Sequence, residues 1–116
     1  PSEYFARNCF VGVSFPSPGE ARAMRTVGLD RVMWGSDYPH HEGSTPYTRE
    51  ALRRAFAEWD PADLAQVLSG TAASVYGFDL DALAPVAARV GPTVEEIRVP
   101  LTTVPADSGS PAFTRP

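Results

Sequence analysis

Lysine is missing from the 116 residues: all ten cations are arginine, set against fourteen acids for a net charge of −4. No cluster of cations stands out, so neither nucleic acid nor an anionic membrane surface is an expected partner. A lone cysteine, Cys9, excludes an internal disulfide and makes a reducing, cytoplasmic setting the expected one. No apolar run reaches the ~18–20 residues of a membrane helix. The opening Pro-Ser-Glu-Tyr has neither the basic nor the apolar region of a signal peptide. It also has no initiator Met, so the chain is expected to be processed, trimmed or a piece of a longer protein. Phosphate loops, dinucleotide fingerprints, paired-cysteine sites and the G-x-S-x-G elbow are all absent, which removes their chemistries. Histidine is nearly absent too, with two residues that are adjacent, His40 and His41. Proline alone is in excess, at twelve, and Pro100, Pro105, Pro111 and Pro116 crowd the C-terminal end.

What remains is one domain's worth of α/β pattern. Asn8 to Phe15 (NCFVGVSF) is a short apolar run rich in Val and Phe, expected to be a strand buried on both faces with Cys9 inside it. Ser17, Pro18 and Glu20 carry a capping box and a first-turn proline, so a helix is expected from there to Gly28. Arg31 to Gly35 reads as a second strand. Strand, helix, strand is a βαβ unit with parallel strands. An amphipathic helix follows over Thr48 to Trp59, with Leu52, Phe56 and Trp59 on one stripe. Asp60 and Pro61 open another, expected to close at Gly70. Thr71 to Tyr76 and Leu80 to Val90, the latter capped by Asp79, complete the helices. Beyond residue 92 lies a Pro/Ser/Thr-rich tail, 93–116, expected to be extended or disordered.

Two parallel strands cannot stand alone, because parallel sheets occur with both faces covered. The expectation is that further strands come from sequence beyond this chain or from a partner.

In α/β folds chemistry gathers beyond the carboxyl ends of strands. Here that place is Ser36-Asp37-Tyr38-Pro39-His40-His41-Glu42-Gly43, the densest polar cluster in the chain. Asp37, two residues past the strand, can ligate a metal and accept a proton, or it can simply open an Asx turn before Pro39. His40 can bind a substrate carboxylate or orient Asp37. His41, Glu42 and Glu50 are expected at the surface, and Pro39 and Gly43 stiffen the loop that carries them.

The segment RVMWGSDYPHHEGSTP resembles the last-strand motif of the amidohydrolase-2 family, metal-dependent (β/α)8 barrels of the amidohydrolase superfamily. PSEYFARNCFVGVSF is similar to that family's seventh-strand segment, and LSGTAASVYGFDLDAL to its closing helix, so residues 1–92 are covered. The resemblance implies the C-terminal part of a (β/α)8 TIM barrel: the last two strands with their helices, plus closing helices. Asp37 matches the aspartate that ligates the metal or transfers the proton, and His40 a recurrent histidine of the same loop. Thr71 stands where the family more often has Asn, and is expected to cap. The implied activity is hydrolysis or non-oxidative decarboxylation of a small carboxylate- or carbonyl-bearing substrate. The implied cofactor is a divalent ion, Zn or Mn. The family's His-x-His pair and further histidines are missing, so Asp37 is expected to be a ligand without company. The chain alone is expected to be inactive, short of an N-terminal barrel part or completed as a homo-oligomer. The alternative is a non-catalytic interaction module that completes its sheet with a partner or with itself.

Overall fold

The computed structural model describes residues 1–116. Helix α1 (Ser2–Asn8) comes first, closed by Asn8 bonding back to the Tyr4 carbonyl at 2.8 Å and by the Cys9 N–H reaching the Phe5 carbonyl at 2.9 Å. The strand expected from Asn8 is therefore shorter, β1 (Val11–Ser14), and Cys9 ends a helix, half-buried, instead of lying in a strand. Nor is β1 buried on both faces: Val11 and Val13 are half-buried while Gly12 and Ser14 are exposed, because no strand or helix covers that side.

Helix α2 (Pro18–Val27) begins as its sequence dictates. The Ser17 hydroxyl accepts from the Glu20 N–H, and the Ser17 N–H donates to the Glu20 carboxylate at 2.8 Å. Gly28, at φ 100°, stops it. A single 3-10 turn leads into β2 (Val32–Gly35), which pairs with β1 in parallel, Val11 opposite Val32 and Ser14 opposite Gly35. The βαβ unit is thus present, and the fold is mixed α/β with a two-stranded parallel sheet.

Helix α3 (Thr48–Phe56) and the turn after it bury Leu52, Phe56 and Trp59 against Ala21 and Met24 of α2 and Val32 of β2. The Phe56 and Trp59 rings meet edge to face at 5.0 Å. Complete burial of a side chain such as Phe56 stabilises the fold by roughly 1.5–3 kcal/mol.

Asp60 caps α4 (Pro61–Ala65) through the Ala62 N–H at 2.8 Å. Gly70 does not close that helix. A π turn over Gln66–Gly70 carries the chain straight into α5 (Thr71–Tyr76). Thr71 is not a cap either: its buried hydroxyl donates to the Leu29 carbonyl at 2.9 Å and accepts from the Gln66 amide at 2.9 Å, tying the π turn to the start of β2. Gly77, left-handed at φ 72°, ends α5. Asp79 caps α6 (Leu80–Val90), which has no buried residue.

The tail departs most from expectation. Residues 93–116 hold two short helices, α7 (Val94–Ile97) and α8 (Pro111–Thr114). Ile97 joins the main core, while Ala112 and Phe113 bury against Ala51 of α3. Three arginines of α3 explain the order. Arg49 reaches the Val90 and Gly91 carbonyls and Glu96, Arg53 those of Val99 and Pro100, and Arg54 those of Ala112 and Arg115. One helix face thus satisfies backbone acceptors all along the tail. No helix is long and apolar enough to cross a membrane.

Candidate metal centre

The two strands end side by side at Ser14 and Gly35, so the segments that follow share one edge. Both turn sharply. Phe15 and Asp37 are the two non-glycine residues with positive φ, 39° and 60°. Aspartate tolerates the left-handed region because its short polar side chain bonds locally. A bulky Phe does not, and strain of this kind costs of order 1–3 kcal/mol. Phe15 is held there from two sides. Its N–H donates to the Gly35 carbonyl at 3.0 Å, and the Arg115 guanidinium sits 5.6 Å from its ring while donating to its carbonyl at 3.4 Å. Glu20 in turn fixes Arg115 at 2.6 Å.

The loop after β2 folds on itself through successive turns. His40 N–H donates to the Asp37 carbonyl at 2.9 Å, Gly43 N–H to the His40 carbonyl at 3.0 Å, and Ser44 N–H to the Ser36 carbonyl at 2.9 Å. Ser44 is buried, and its hydroxyl lies 3.0 Å from that of Thr48 in the first turn of α3. The Ser36 hydroxyl takes the Tyr38 N–H, a structural role with no feature of a nucleophile. The Tyr38–Pro39 and Thr45–Pro46 peptides are cis.

This folding gathers three donors. One ligand atom from each of Asp37, His40 and Glu42 lies within 4.8 Å of the others. Nδ1 of His40 is 3.0 Å from Oδ2 of Asp37, so of the two roles considered for His40 the geometry supplies the contact with Asp37. The Asp37 side chain is 26% exposed and that of His40 68%. His41 is 94% exposed and stays outside, its Nδ1 3.1 Å from Oε2 of Glu42. Asp37 thus has two possible donors beside it. Glu42 is at the surface as expected, but it also faces the cluster. The signal that could have found it is the i, i+3, i+5 spacing closed by Gly43.

One imidazole nitrogen and two carboxylate oxygens form a donor set that suits a first-row divalent ion. With metal–ligand bonds of ~2.0–2.2 Å, one ion would join the three after a small inward shift of exposed side chains.

Behind the loop the tail closes a polar cavity of about 330 Å³ that His41, Thr45, Tyr47 and Asp107 help to line. The Tyr47 hydroxyl donates to Oδ1 of Asp107 at 2.7 Å. That bond, then desolvation and the negative charges of Asp107 and Glu50, hold the phenol above its ordinary value of 10.0. On α7, Glu96 is held below its ordinary 4.5, first by the Thr93 N–H it accepts and then by Arg49.

A protein-family model described as amidohydrolase matches residues 1–78, a stretch that takes in both strands, the loop with its three donors, and the helices through α5. No curated protein and no solved structure matches the chain.

Proposed function

The chain belongs to the amidohydrolase family, and on that premise we propose that it is the Asp37-bearing part of a metal-dependent (β/α)8-barrel enzyme acting on a small carboxylate- or carbonyl-bearing molecule. The reaction is hydrolysis or non-oxidative decarboxylation, and the setting is cytoplasmic. β1 and β2 are then the last two strands of the barrel, and α3 to α6 its outer and closing helices.

The observation that carries this reading is the convergence of Asp37, His40 and Glu42 at the carboxyl end of a parallel strand, where barrel enzymes place their chemistry. Asp37 is the residue that would hold a divalent ion, Zn or Mn, in company with ligands from other strands. Such an ion supplies Lewis-acid polarisation of a substrate oxygen. Asp37 does the proton work: its carboxylate accepts a proton and returns it to product. His40 positions that carboxylate through its ring nitrogen. The left-handed turn at Asp37 aims the carboxylate back over the loop instead of along the strand direction.

A second reading rests on the open edges. Neither strand has a neighbour on its outer side, and α6 exposes Leu80, Leu83, Val86 and Val90. A non-catalytic module that completes its sheet with a partner chain or a second copy would use these surfaces.

The native mass of the gene product purified from its source, together with its metal-dependent turnover, separates the two. A single polypeptide of roughly 30–45 kDa, the scale of a whole barrel, with turnover abolished by a chelator, supports the enzyme. A 12.5 kDa chain, inert and held in a complex, supports the module.

A further inference from the structure

We infer that the cavity between α2, α3 and the tail binds a small phosphate monoester through the guanidinium groups of Arg22, Arg53 and Arg54. The cavity shares no residue with the loop after β2, and the inference stands apart from the metal-dependent reading above.

Three observations carry it. First, the fold gathers charge that the sequence spreads out. Arg22 of α2 and Arg53 and Arg54 of α3 line one cavity of about 280 Å³, with Glu58 the single acid in its wall. Three cations against one acid leave an excess of two positive charges, in a chain whose net charge is −4. Second, none of the three meets a carboxylate. The ion pairs of the fold use Arg25, Arg31, Arg49 and Arg115 instead, and Glu58 pairs with none of its neighbours. Holding like charges around one cavity costs energy that a bound anion relieves. Third, Trp59, Pro100 and Leu101 give the cavity an apolar side. Low-dielectric walls strengthen the attraction between a guanidinium and an anion.

The charge selects the ligand. A phosphate monoester carries about −1.5 to −2 near neutral pH, which matches the excess of two, whereas a monocarboxylate leaves one charge over. Guanidinium forks also take the oxygens of a phosphoryl group two at a time. The volume lies near the lower end of the roughly 300–1,000 Å³ of small-molecule sites, room for a phosphoryl group and a few further atoms. The alternative is that these arginines serve only the tail. Arg53 and Arg54 do anchor it, each through two carbonyls. A guanidinium has donors to spare beyond two, however, and carbonyls leave its charge uncancelled. Arg22 makes no hydrogen bond to the tail, so anchoring does not account for its place in the cavity.

The test is a calorimetric titration of the native protein with phenyl phosphate, beside inorganic phosphate and acetate, at an ionic strength of about 0.15 M. The protein is first stripped of metal by a chelator that is then dialysed away. One saturable site per chain is expected for both phosphates, with acetate at least about tenfold weaker. Arg22→Gln should weaken phosphate binding about tenfold or more, the worth of a hydrogen bond to a charged group. Its thermal midpoint should stay at the wild-type value, because Arg22 makes no bond within the fold. Arg22→Lys keeps the charge without the fork and should fall between the two. Arg89→Gln, on α6 and outside the cavity, should bind like wild type. No saturable binding, acetate held as tightly as phosphate, or an Arg22→Gln protein that binds like wild type overturns the inference. Binding of inorganic phosphate without phenyl phosphate overturns the monoester. Binding that appears only when metal is restored belongs to the candidate metal centre: the inference then fails while the metal-dependent reading stands.

Discussion

The carbonyl oxygen of Ser36 occupies the space that a side chain on Gly43 would need: a Cβ at Gly43 would meet it at 2.7 Å, and the carbonyls of Asp37 and His40 at 3.0 Å each. Those neighbours are backbone, so none can swing aside. The loop closes on itself this tightly because residue 43 has no side chain. Gly43→Ala should destabilise the protein by about 1–3 kcal/mol, the usual cost of forcing extra volume into a packed site. In the native enzyme it should also lower turnover by up to about 10²-fold, since a small misplacement of a reacting group can cost that much. Thermal unfolding and steady-state turnover measure the two effects separately. An alanine variant that turns over like wild type would mean that the loop's closure is not what positions Asp37.

Arg54 anchors the tail through two carbonyl groups at once, Ala112 at 2.6 Å and Arg115 at 2.9 Å. Hydrogen bonds to a charged group contribute about 1.5–3 kcal/mol where they are sheltered. Arg54→Ala should therefore free α8, expose Phe113 and accelerate amide exchange over residues 110–116, leaving α2 and β2 protected. Limited proteolysis should then cut within the tail. Wild-type exchange in the variant would place the anchoring of the tail in its other contacts, Phe113 with Ala51 and Arg115 with Glu20.

The same tail marks the limit of what the sequence made legible. Capping residues and apolar stripes are local signals, so Ser17 with Glu20, Asp60, Asp79 and the Leu52–Phe56–Trp59 stripe fell where their chemistry required. Ordering of residues 93–116 depends on Arg49, Arg53 and Arg54 finding main-chain carbonyls more than forty positions away. Every residue carries a carbonyl, so the pattern leaves no trace in composition. Gly70 misled for a related reason: Thr71 reaches the Leu29 carbonyl across the fold, and that tie carries the helix past a residue that usually ends one. In the candidate site, the place of Asp37 and His40 just after a strand was legible in the sequence. The approach of Glu42 to them was not, because it depends on turns that only the folded loop makes.

Tyr47 gives the tail a measurable dependence on pH. Its hydroxyl is held protonated by Asp107, so its folded pKa lies above the ordinary 10.0. A raised pKa means that the bond's contribution to stability is fully present below pH 10 and disappears as pH rises through the folded value. Carbon-13 titration of the labelled tyrosine ζ position should place Tyr47 above 10.0. Asp107→Asn should bring it down toward 10.0. Protection of the amides around residues 105–110, taken relative to their intrinsic exchange rates, should fall only in that alkaline range. A Tyr47 that titrates at the ordinary 10.0 would show that the contact with Asp107 does not persist in solution.

Asp37→Asn tests the proposed chemistry with little disturbance of the turn. Asparagine is among the few residues at ease with positive φ, so the conformation at 60° can persist. What is lost is the charge and the capacity to take up a proton, since an amide oxygen still accepts a hydrogen bond but does not act as a base near neutral pH. In the native enzyme, turnover should fall by roughly 10²-fold or more, the range assigned to a positioned acid–base group. His40→Gln should cause a smaller loss, because it removes a positioning contact and leaves the carboxylate in place. An effect confined to KM in Asp37→Asn would make the residue a binding group. Turnover within a few-fold of wild type would remove Asp37 from the mechanism, and the strained turn that presents it would then need a purely structural explanation.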